Sequence, residues 1–140
     1  MLYFIKRVEE LFLPMKQHIL IVDDDREIFE VLAVLLEDEG YGALWAQNPE
    51  EFREKAFFHR PHLIILDIML GEANGPEVYK KLLAQGLSQK IPVIFVSGLI
   101  PGDGPAPPLQ PGRQYAMHSK PFVFEHLLRD IRTLILSQAA

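Results

Sequence analysis

Residues 18–25 read HILIVDDD, a nearly continuous apolar run that is followed at once by three acids. A short run rich in β-branched residues is typical of a strand that is buried on both faces. The apolar residues of segment 28–36 then recur at helical spacing, and Gly40 can end that helix. The stretch therefore predicts a buried strand, an acidic loop and an amphipathic helix, with Asp25 in the N-cap region.

The same alternation of strand and helix continues along the chain. Apolar runs at 62–66 and 91–96 predict two further buried strands, and weaker runs at 43–46 and 115–119 predict two more. Amphipathic segments separate most of these runs, and another one closes the chain. Strands that alternate with helices predict an α/β fold, with a doubly wound parallel sheet of five strands and helices on both faces.

The composition limits the class of protein. The 140 residues fit one ordinary domain, and a formal net charge of −5 argues against a general nucleic-acid binder. The chain has no cysteine, which excludes disulfide scaffolds, thiolate metal sites and cysteine nucleophiles. No uncharged apolar run approaches the roughly 18 residues that a membrane span needs. We therefore expect neither a nucleic acid nor a membrane as a partner.

Proline is concentrated in one segment of the chain. Five of the eleven prolines fall in segment 101–112, where eight of the twelve residues are Pro or Gly. Each proline inside a helix removes a backbone donor and costs about 3 kcal/mol. The segment is therefore predicted to be a loop.

Residues 1–14 stand apart from the alternating pattern. Their apolar residues line one side of a helix that Pro14 would end, and charges in the middle argue against a signal peptide. Two interpretations stay open for this N-terminal extension. It is either an extra helix, which docks on the domain or pairs with a second copy, or a misassigned start, with translation beginning at Met15. The domain itself is expected to span 15–140.

Polar residues stand directly after four of the five predicted strands. They are Asp23 and Asp24, Asp67, Ser97 and Lys120. Ligands of open α/β sheets bind outside the carboxyl ends of the strands, so these side chains are expected to share one pocket. Each residue alone has an ordinary explanation as a turn or cap residue. Their joint occurrence at four strand ends favours a functional site.

The carboxylates in this pocket are expected to need a cation beside them, because they repel one another. Carboxylates about 5 Å apart repel by roughly 3 kcal/mol per pair at an effective dielectric constant near 20. A site made of oxygen ligands suits Mg²⁺, which keeps several waters and bridges to phosphate. A carboxylate beside Mg²⁺ and Lys120, with the Ser97 hydroxyl nearby, is suited to accept a phosphoryl group as an aspartyl phosphate.

At this point the sequence resembles the receiver domain of bacterial two-component response regulators, of the chemotaxis-regulator-like type, over about residues 16–138. The resemblance rests on ILIVDDD at 19–25, LIILDIML at 63–70, PVIFVSG at 92–98 and SKPF at 119–122. Intervals of 43, 30 and 23 residues separate Asp24, Asp67, Ser97 and Lys120, close to the spacing of the family. The resemblance implies a flavodoxin-like sheet with strand order 2-1-3-4-5.

The resemblance also implies a role for each acid. Asp67 would be the phosphoacceptor, which attacks a phosphohistidine on a sensor histidine kinase or a histidine phosphotransfer protein. Asp24 and Asp67 would bind Mg²⁺ directly, and Asp23 would bind it largely through water. The backbone carbonyl of Met69 would complete the protein ligands.

The phosphate-binding residues follow from the same resemblance. Ser97 would donate a hydrogen bond to a phosphoryl oxygen, and Gly98 would leave access to the site. Lys120 would pair with the phosphate, and the bond between Lys120 and Pro121 would be cis. Together, Asp67, Ser97 and Lys120 are the residues expected to carry the chemistry.

The sequence departs from the family pattern at several positions. Gly71 stands where a proline is usual, Asn74 where an acid is common, and Met117 where the aromatic switch residue normally lies. The proline-rich segment 101–112 replaces the family's fourth helix, which makes that helix degenerate or missing. The usual dimerisation and target-binding face includes this helix, so a homodimer stays possible while the usual readout is in doubt.

The interpretation of the whole chain is a stand-alone, cytoplasmic receiver domain that signals by contact with an effector protein. It would accept phosphate on itself and would not be a turnover enzyme. One alternative is a receiver-like scaffold that has lost phosphorylation switching. A phosphatase of the haloacid dehalogenase type fits less well, because Glu27 occupies a position where that family's motif has Thr or Val.

Overall fold

The computed structural model describes residues 1–2, 16–98 and 115–139. The expected helix in 1–14 lies outside the described residues except for residues 1–2. The expected loop at 101–112 lies wholly outside them, so the prediction that it replaces the family's fourth helix stays a prediction. The elements, in chain order, are β1 (His18–Val22), α1 (Arg26–Asp38), β2 (Gly42–Ala46), α2 (Pro49–His59), β3 (Leu63–Asp67), β4 (Met69–Leu70), β5 (Ala73–Asn74), α3 (Gly75–Ala84), β6 (Val93–Ser97), β7 (Tyr115–Ser119) and α4 (Phe124–Ala139).

Five of the strands form one parallel sheet in the order β2-β1-β3-β6-β7. The two-residue strands β4 and β5 pair with each other as a separate antiparallel hairpin. With that hairpin left out of the count, the order is the expected 2-1-3-4-5. The doubly wound α/β fold predicted from the sequence is therefore confirmed.

Helices cover the sheet on both faces, and the alternation of side chains along each strand divides the core in two. Ile19 and Ile21 of β1 pack with α1 and α4, whereas Leu20 and Val22 pack with α2 and α3. All four of these side chains are fully buried. Burial on both faces explains why β1 reads as a continuous apolar run.

Side-chain caps fix where three helices begin. Asp25, Asn48 and Asn74 each accept a backbone N–H of the first turn, and they cap α1, α2 and α3 respectively. The predicted N-cap at Asp25 is therefore confirmed. Each cap sets the direction in which its helix leaves the sheet, and the cap of α1 follows immediately on two of the acids in the predicted pocket.

Three strands differ from the predicted bounds by one or two residues, and β2 begins at Gly42, one residue earlier than expected. β3 spans Leu63–Asp67 and β6 spans Val93–Ser97, so Asp67 and Ser97 lie inside their strands. Hydrogen-bonded register sets these ends: Asp67 pairs with Val96, and Ser97 pairs with Ser119. Among the described residues, no helix is long and apolar enough to cross a membrane.

Candidate functional site

Three aspartates meet at the carboxyl edge of the sheet. Asp23 directly follows β1, Asp24 comes next, and Asp67 is the last residue of β3. One carboxylate oxygen from each lies within 4.8 Å of the other two. Asp23 is 3 % exposed and Asp67 is 6 % exposed, whereas Asp24 is open to solvent. The cluster is thus a buried pair of acids with one accessible member.

The backbone of the acidic loop is held on both sides. The Asp23 N–H donates to the carbonyl of Ala46 at 3.0 Å, which extends the pairing of β1 with β2 by one bond. The Asp25 N–H donates to Asp23 Oδ1 at 2.8 Å, and Asp25 Oδ1 accepts the Glu27 N–H at 2.9 Å. Asp23 Oδ1 therefore accepts a hydrogen bond within the loop, and Oδ2 faces the pocket.

Lys120 joins the two buried acids. Its Nζ lies 2.6 Å from Asp23 Oδ2 and 2.9 Å from Asp67 Oδ2. The Lys120 N–H donates to the Ser97 carbonyl at 2.7 Å, so the end of β6 fixes the point from which this side chain reaches into the pocket. The bond between Lys120 and Pro121 is cis, as the resemblance implied.

Burial and charge act in opposite directions on these groups. Burial raises the pKa of Asp67 above its usual value, and the charge of Asp23 adds to that rise, although the hydrogen bond from Lys120 counters it. Burial alone would lower the pKa of Lys120, but its contacts with Asp23 and Asp67 outweigh burial and raise it. Lys120 is therefore held as the cation, which favours ionised partners.

The other predicted site residues lie around this cluster. Ser97 ends β6 and is 8 % exposed, and Gly98 follows it at the surface. A Cβ at Gly98 would meet no described atom within 4 Å. Met69 donates its backbone N–H to Asp67 Oδ1 at 3.1 Å, which places that N–H beside the cluster. All of the residues singled out from the sequence are thus found at one edge of the sheet.

The cluster fits a divalent cation. Three carboxylates against one ammonium leave two negative charges, and every side-chain group that the three acids offer is a hard oxygen donor. The accessible Asp24 gives an ion a route from solvent. A cation bound here would share Asp23 and Asp67 with Lys120, so metal binding and the position of the lysine are linked.

Two residues of the site carried no signal that singled them out in the sequence. The Trp45 Nε1–H donates to the backbone carbonyl of Asp23 at 2.8 Å, although 22 residues separate them. Gly75 lies directly behind Asp67: an added Cβ would stand 2.1 Å from the Asp67 carbonyl oxygen. The Asn-Gly-Pro sequence at 74–76 marks a helix start, but it does not show that Gly75 touches the acidic strand.

A doubly wound sheet with an acid-rich pocket at the carboxyl ends of its strands defines a class of domain, and comparison with known proteins gives the family. The family model described as "Response regulator receiver domain" matches residues 19–132. The chain therefore belongs to the receiver domains of two-component response regulators. Members of this family are signalling domains and not classical turnover enzymes.

Two relatives from curated proteins are transcriptional regulators. The chain is 32 % identical over 117 residues to the phosphate regulon transcriptional regulatory protein PhoB of Pseudomonas aeruginosa, covering 84 % of this chain and 51 % of that protein. It is 42 % identical over 73 residues to the alkaline phosphatase synthesis transcriptional regulatory protein PhoP of Bacillus subtilis, covering 52 % of this chain and 30 % of that protein. The chain thus matches about half of the first relative and less than a third of the second. These relatives give no support to the expectation that nucleic acid is excluded as a partner.

Solved structures agree on the fold. A CheY-like response regulator receiver domain protein from Methanospirillum hungatei superposes with a TM-score of 0.77 at 27 % identity, covering 89 % of this chain and 98 % of that one. A two-component response regulator from Clostridium difficile gives 0.77 at 24 % identity, covering 89 % of this chain and 100 % of that one. The predicted membership of the receiver family is therefore confirmed.

Proposed function

We propose that this receiver domain accepts a phosphoryl group on Asp67 in a reaction that depends on Mg²⁺. The donor would be a phosphohistidine on a sensor histidine kinase or a histidine phosphotransfer protein. The observation that carries the proposal is the bridge from Lys120 to both Asp23 and Asp67 at the strand ends. It keeps the acceptor carboxylate buried yet paired with a cation, next to an exposed acid where a metal can enter.

The acceptor chemistry needs little beyond positioning. An oxygen of the ionised Asp67 attacks phosphorus, the P–N bond to the donor imidazole breaks, and the imidazole nitrogen keeps the electron pair and takes up a proton. The Met69 N–H already holds Asp67 Oδ1 at 3.1 Å, which fixes the plane of the carboxylate. The hydrogen bond from Lys120 favours the ionised form of Asp67 that this attack requires.

The acidic cluster would hold the ion. Asp24 and Asp67 would bind Mg²⁺ directly, Asp23 largely through water, and the Met69 carbonyl would supply a further oxygen. When bound, the ion neutralises charge that develops on the transferred phosphoryl oxygens. The protein's own part is to keep these oxygens within 4.8 Å of one another before the ion arrives.

Three residues would receive the phosphoryl group. The Ser97 hydroxyl would donate to one phosphoryl oxygen, and the Lys120 ammonium would move from its carboxylate partners toward another. Gly98 would leave the entrance open, since its position has no side chain and a Cβ there would meet no described atom. Asp67, Ser97 and Lys120 would therefore act together, with Asp67 as the one covalent acceptor.

The wider role follows from the family. We infer that residues 15–140 make up the receiver unit, that it works in the cytoplasm, and that it signals by contact with an effector protein or with a second copy. The named relatives are transcriptional regulators that are longer than this chain, since the matched residues cover only 51 % and 30 % of them. A DNA-binding output is therefore a partner class to be tested alongside protein effectors.

A scaffold without phosphorylation switching is the second candidate. The observation in its favour is Met117, which replaces the usual aromatic switch residue and lies 42 % exposed on β7. A methionine side chain is flexible, so it is less suited than a rigid aromatic ring to switch between two defined positions. This candidate keeps the family fold and requires no chemistry at Asp67.

Incubation with acetyl phosphate separates the two candidates. We expect intact-protein mass spectrometry to show the gain of one phosphoryl group when Mg²⁺ is present and no gain when EDTA is added. Asp67→Asn should show no gain, whereas Asp38→Asn, the same change at an exposed end of α1, should behave as wild type. A wild-type domain that binds Mg²⁺ but never gains mass would support the scaffold instead.

A further inference from the structure

The peptide units on both sides of Asp23 are bonded to strand β2. Asp23 donates its N–H to the Ala46 carbonyl at 3.0 Å, and its own carbonyl accepts the indole Nε1–H of Trp45 at 2.8 Å. The paired register of β1 and β2 ends at Val22 and Ala46. The indole N–H therefore donates to the Asp23 carbonyl just beyond the last paired residues of the two strands.

Trp45 is held through both its ring and its backbone. Its ring is stacked on Phe29 of α1, with centroids 5.3 Å apart and planes inclined by 11°. Lys55 of α2 donates to the Trp45 backbone carbonyl and lies 3.6 Å from Glu51. Trp45 thus ties the first turn of α1 and the body of α2 to the loop between β1 and α1.

That loop determines where two of the three acids point. Asp23 Oδ1 is bonded to the Asp25 N–H, so Oδ2 is left to face Lys120 and the pocket. Asp24 lies between these two residues, and the direction of its side chain depends on the same peptide planes. A rotation of the Asp23 carbonyl would turn the Asp24 side chain, because the peptide unit that carries this carbonyl joins Asp23 to Asp24. It would also displace the Asp25 N–H that orients the Asp23 carboxylate.

We propose that Trp45 is a positioning residue for the cation site: its indole N–H fixes the Asp23 peptide so that Asp23 and Asp24 converge on Asp67. The inference rests on the proposed function, because it presumes that the acidic cluster binds Mg²⁺. Trp45 touches neither the ion nor the phosphoryl group. Its effect is on the concentration of Mg²⁺ that the domain needs, and not on the rate of the chemical step once the site is full.

The test compares three altered proteins with wild type. Trp45→Phe keeps a stacking ring and removes the donor. A second variant carries benzothienylalanine at position 45, an isostere in which sulfur replaces the indole N–H. Ile131→Val, a mild truncation of a fully buried residue in α4, is the control for a general loss of stability. Each protein is checked for folding by urea titration before Mg²⁺ is added.

Calorimetry gives the Mg²⁺ dissociation constant, and mass spectrometry gives the rate of phosphorylation by acetyl phosphate across a range of Mg²⁺ concentrations. We expect both position-45 variants to bind Mg²⁺ roughly fivefold more weakly, the order expected for the loss of one net hydrogen bond. Their rates at saturating Mg²⁺ should return to that of wild type. Ile131→Val should bind Mg²⁺ as wild type does.

Three results would overturn the inference while leaving the proposed function intact. These are unchanged Mg²⁺ binding in a folded Trp45→Phe protein, equal weakening in Ile131→Val, and wild-type binding by the isostere, which would assign the effect to ring packing. If wild type itself binds no Mg²⁺, the proposed function and this inference are both overturned.

Discussion

Strands β1 and β3 carry histidines at one end and aspartates at the other, and the two ends are held in different ways. At the amino edge, His18 begins β1 and His62 precedes β3. At the carboxyl edge, Asp23 follows β1 and Asp67 ends β3. The same pair of neighbouring strands therefore presents two pairs of ionisable groups, about one strand length apart.

The histidine edge satisfies its polar atoms with neutral partners. The His18 N–H donates to His62 Nδ1 at 3.1 Å, and His18 Nε2 donates to the His59 carbonyl at 2.7 Å, since a carbonyl can only accept. The two imidazole rings meet edge to face, with centroids 4.9 Å apart. Burial, with a smaller effect of His18, lowers the pKa of His62 and so favours its neutral form.

The aspartate edge keeps a surplus of charge. Burial raises the pKa of Asp67, just as burial lowers that of His62, and both shifts disfavour the ion. Here, however, Lys120 donates to both Asp23 and Asp67, and three carboxylates face this one ammonium group. The two edges differ in what they can bind. The hydrogen bonds of the histidine edge are made within the protein, whereas the excess of carboxylates at the aspartate edge can attract a cation.

The largest expected effect comes from filling the space behind Asp67. Gly75→Ala would place a Cβ 2.1 Å from the Asp67 carbonyl oxygen, and neither backbone segment can move without disturbing β3. We expect a loss of about 3 kcal/mol or more in the free energy of unfolding, measured by urea titration. Gly98→Ala, where the new Cβ meets no described atom, should stay within about 0.5 kcal/mol of wild type. Equal effects at the two glycines would show that the carboxyl edge is not rigid behind the acceptor.

A smaller effect is expected from removing the cation of the carboxyl edge. Lys120→Met leaves Asp23 and Asp67 buried without a positive partner. We expect a loss of roughly 2 kcal/mol, below the value for a fully buried pair because the lysine is partly exposed. Added Mg²⁺ should stabilise this variant more than wild type in thermal melts, since no lysine competes for the carboxylates. A variant as stable as wild type without metal would mean that the acids repel each other little.

The smallest effect is expected at the amino edge. The folded protein binds a proton at His62 more weakly than the unfolded chain does, so the unfolded state is protonated first as pH falls below about 7. The stabilisation that neutral His62 provides is therefore present above the unfolded pKa and is lost as pH falls toward the folded one. We expect His62→Gln to cost about 0.5 kcal/mol at pH 7.5 and less at pH 5.5. His126→Gln, at an exposed position of α4, is the matched removal of a histidine; a cost for His62→Gln that does not change with pH would contradict the assignment.

The sequence was sufficient to place most of the sheet and the edge that carries the acids. β1 lies where its apolar run predicted, because a strand buried on two faces leaves an unbroken pattern, and the partly exposed edge strand β7 lies where the weaker run predicted. β3 and β6 are displaced by one or two residues, since their ends depend on the register with neighbours and not on hydrophobicity. The β4–β5 hairpin was missed, because two residues per strand leave no pattern.

The side-chain contacts across the fold could not be predicted in the same way. Lys120 was expected to face the acids, but its separate bonds to Asp23 and Asp67 depend on how the two strands are spaced. His118 Nε2 lies 2.7 Å from Asp130 Oδ2 and joins β7 to α4, a contact that no spacing in the sequence indicates. Trp45 is half-buried and its N–H donates to the Asp23 carbonyl, which hydrophobicity alone does not predict.

The bond from Trp45 to the acidic loop has an optical consequence. The chain contains one tryptophan, so light absorbed at the red edge of the aromatic band is emitted from a single ring. Indole emission changes in colour and intensity with the polarity around the ring and with nearby quenching groups. This ring is stacked on α1 and bonded to the loop that holds Asp23 and Asp24. The intrinsic fluorescence of Trp45 is therefore expected to report the binding of a ligand at the carboxyl edge without any added label.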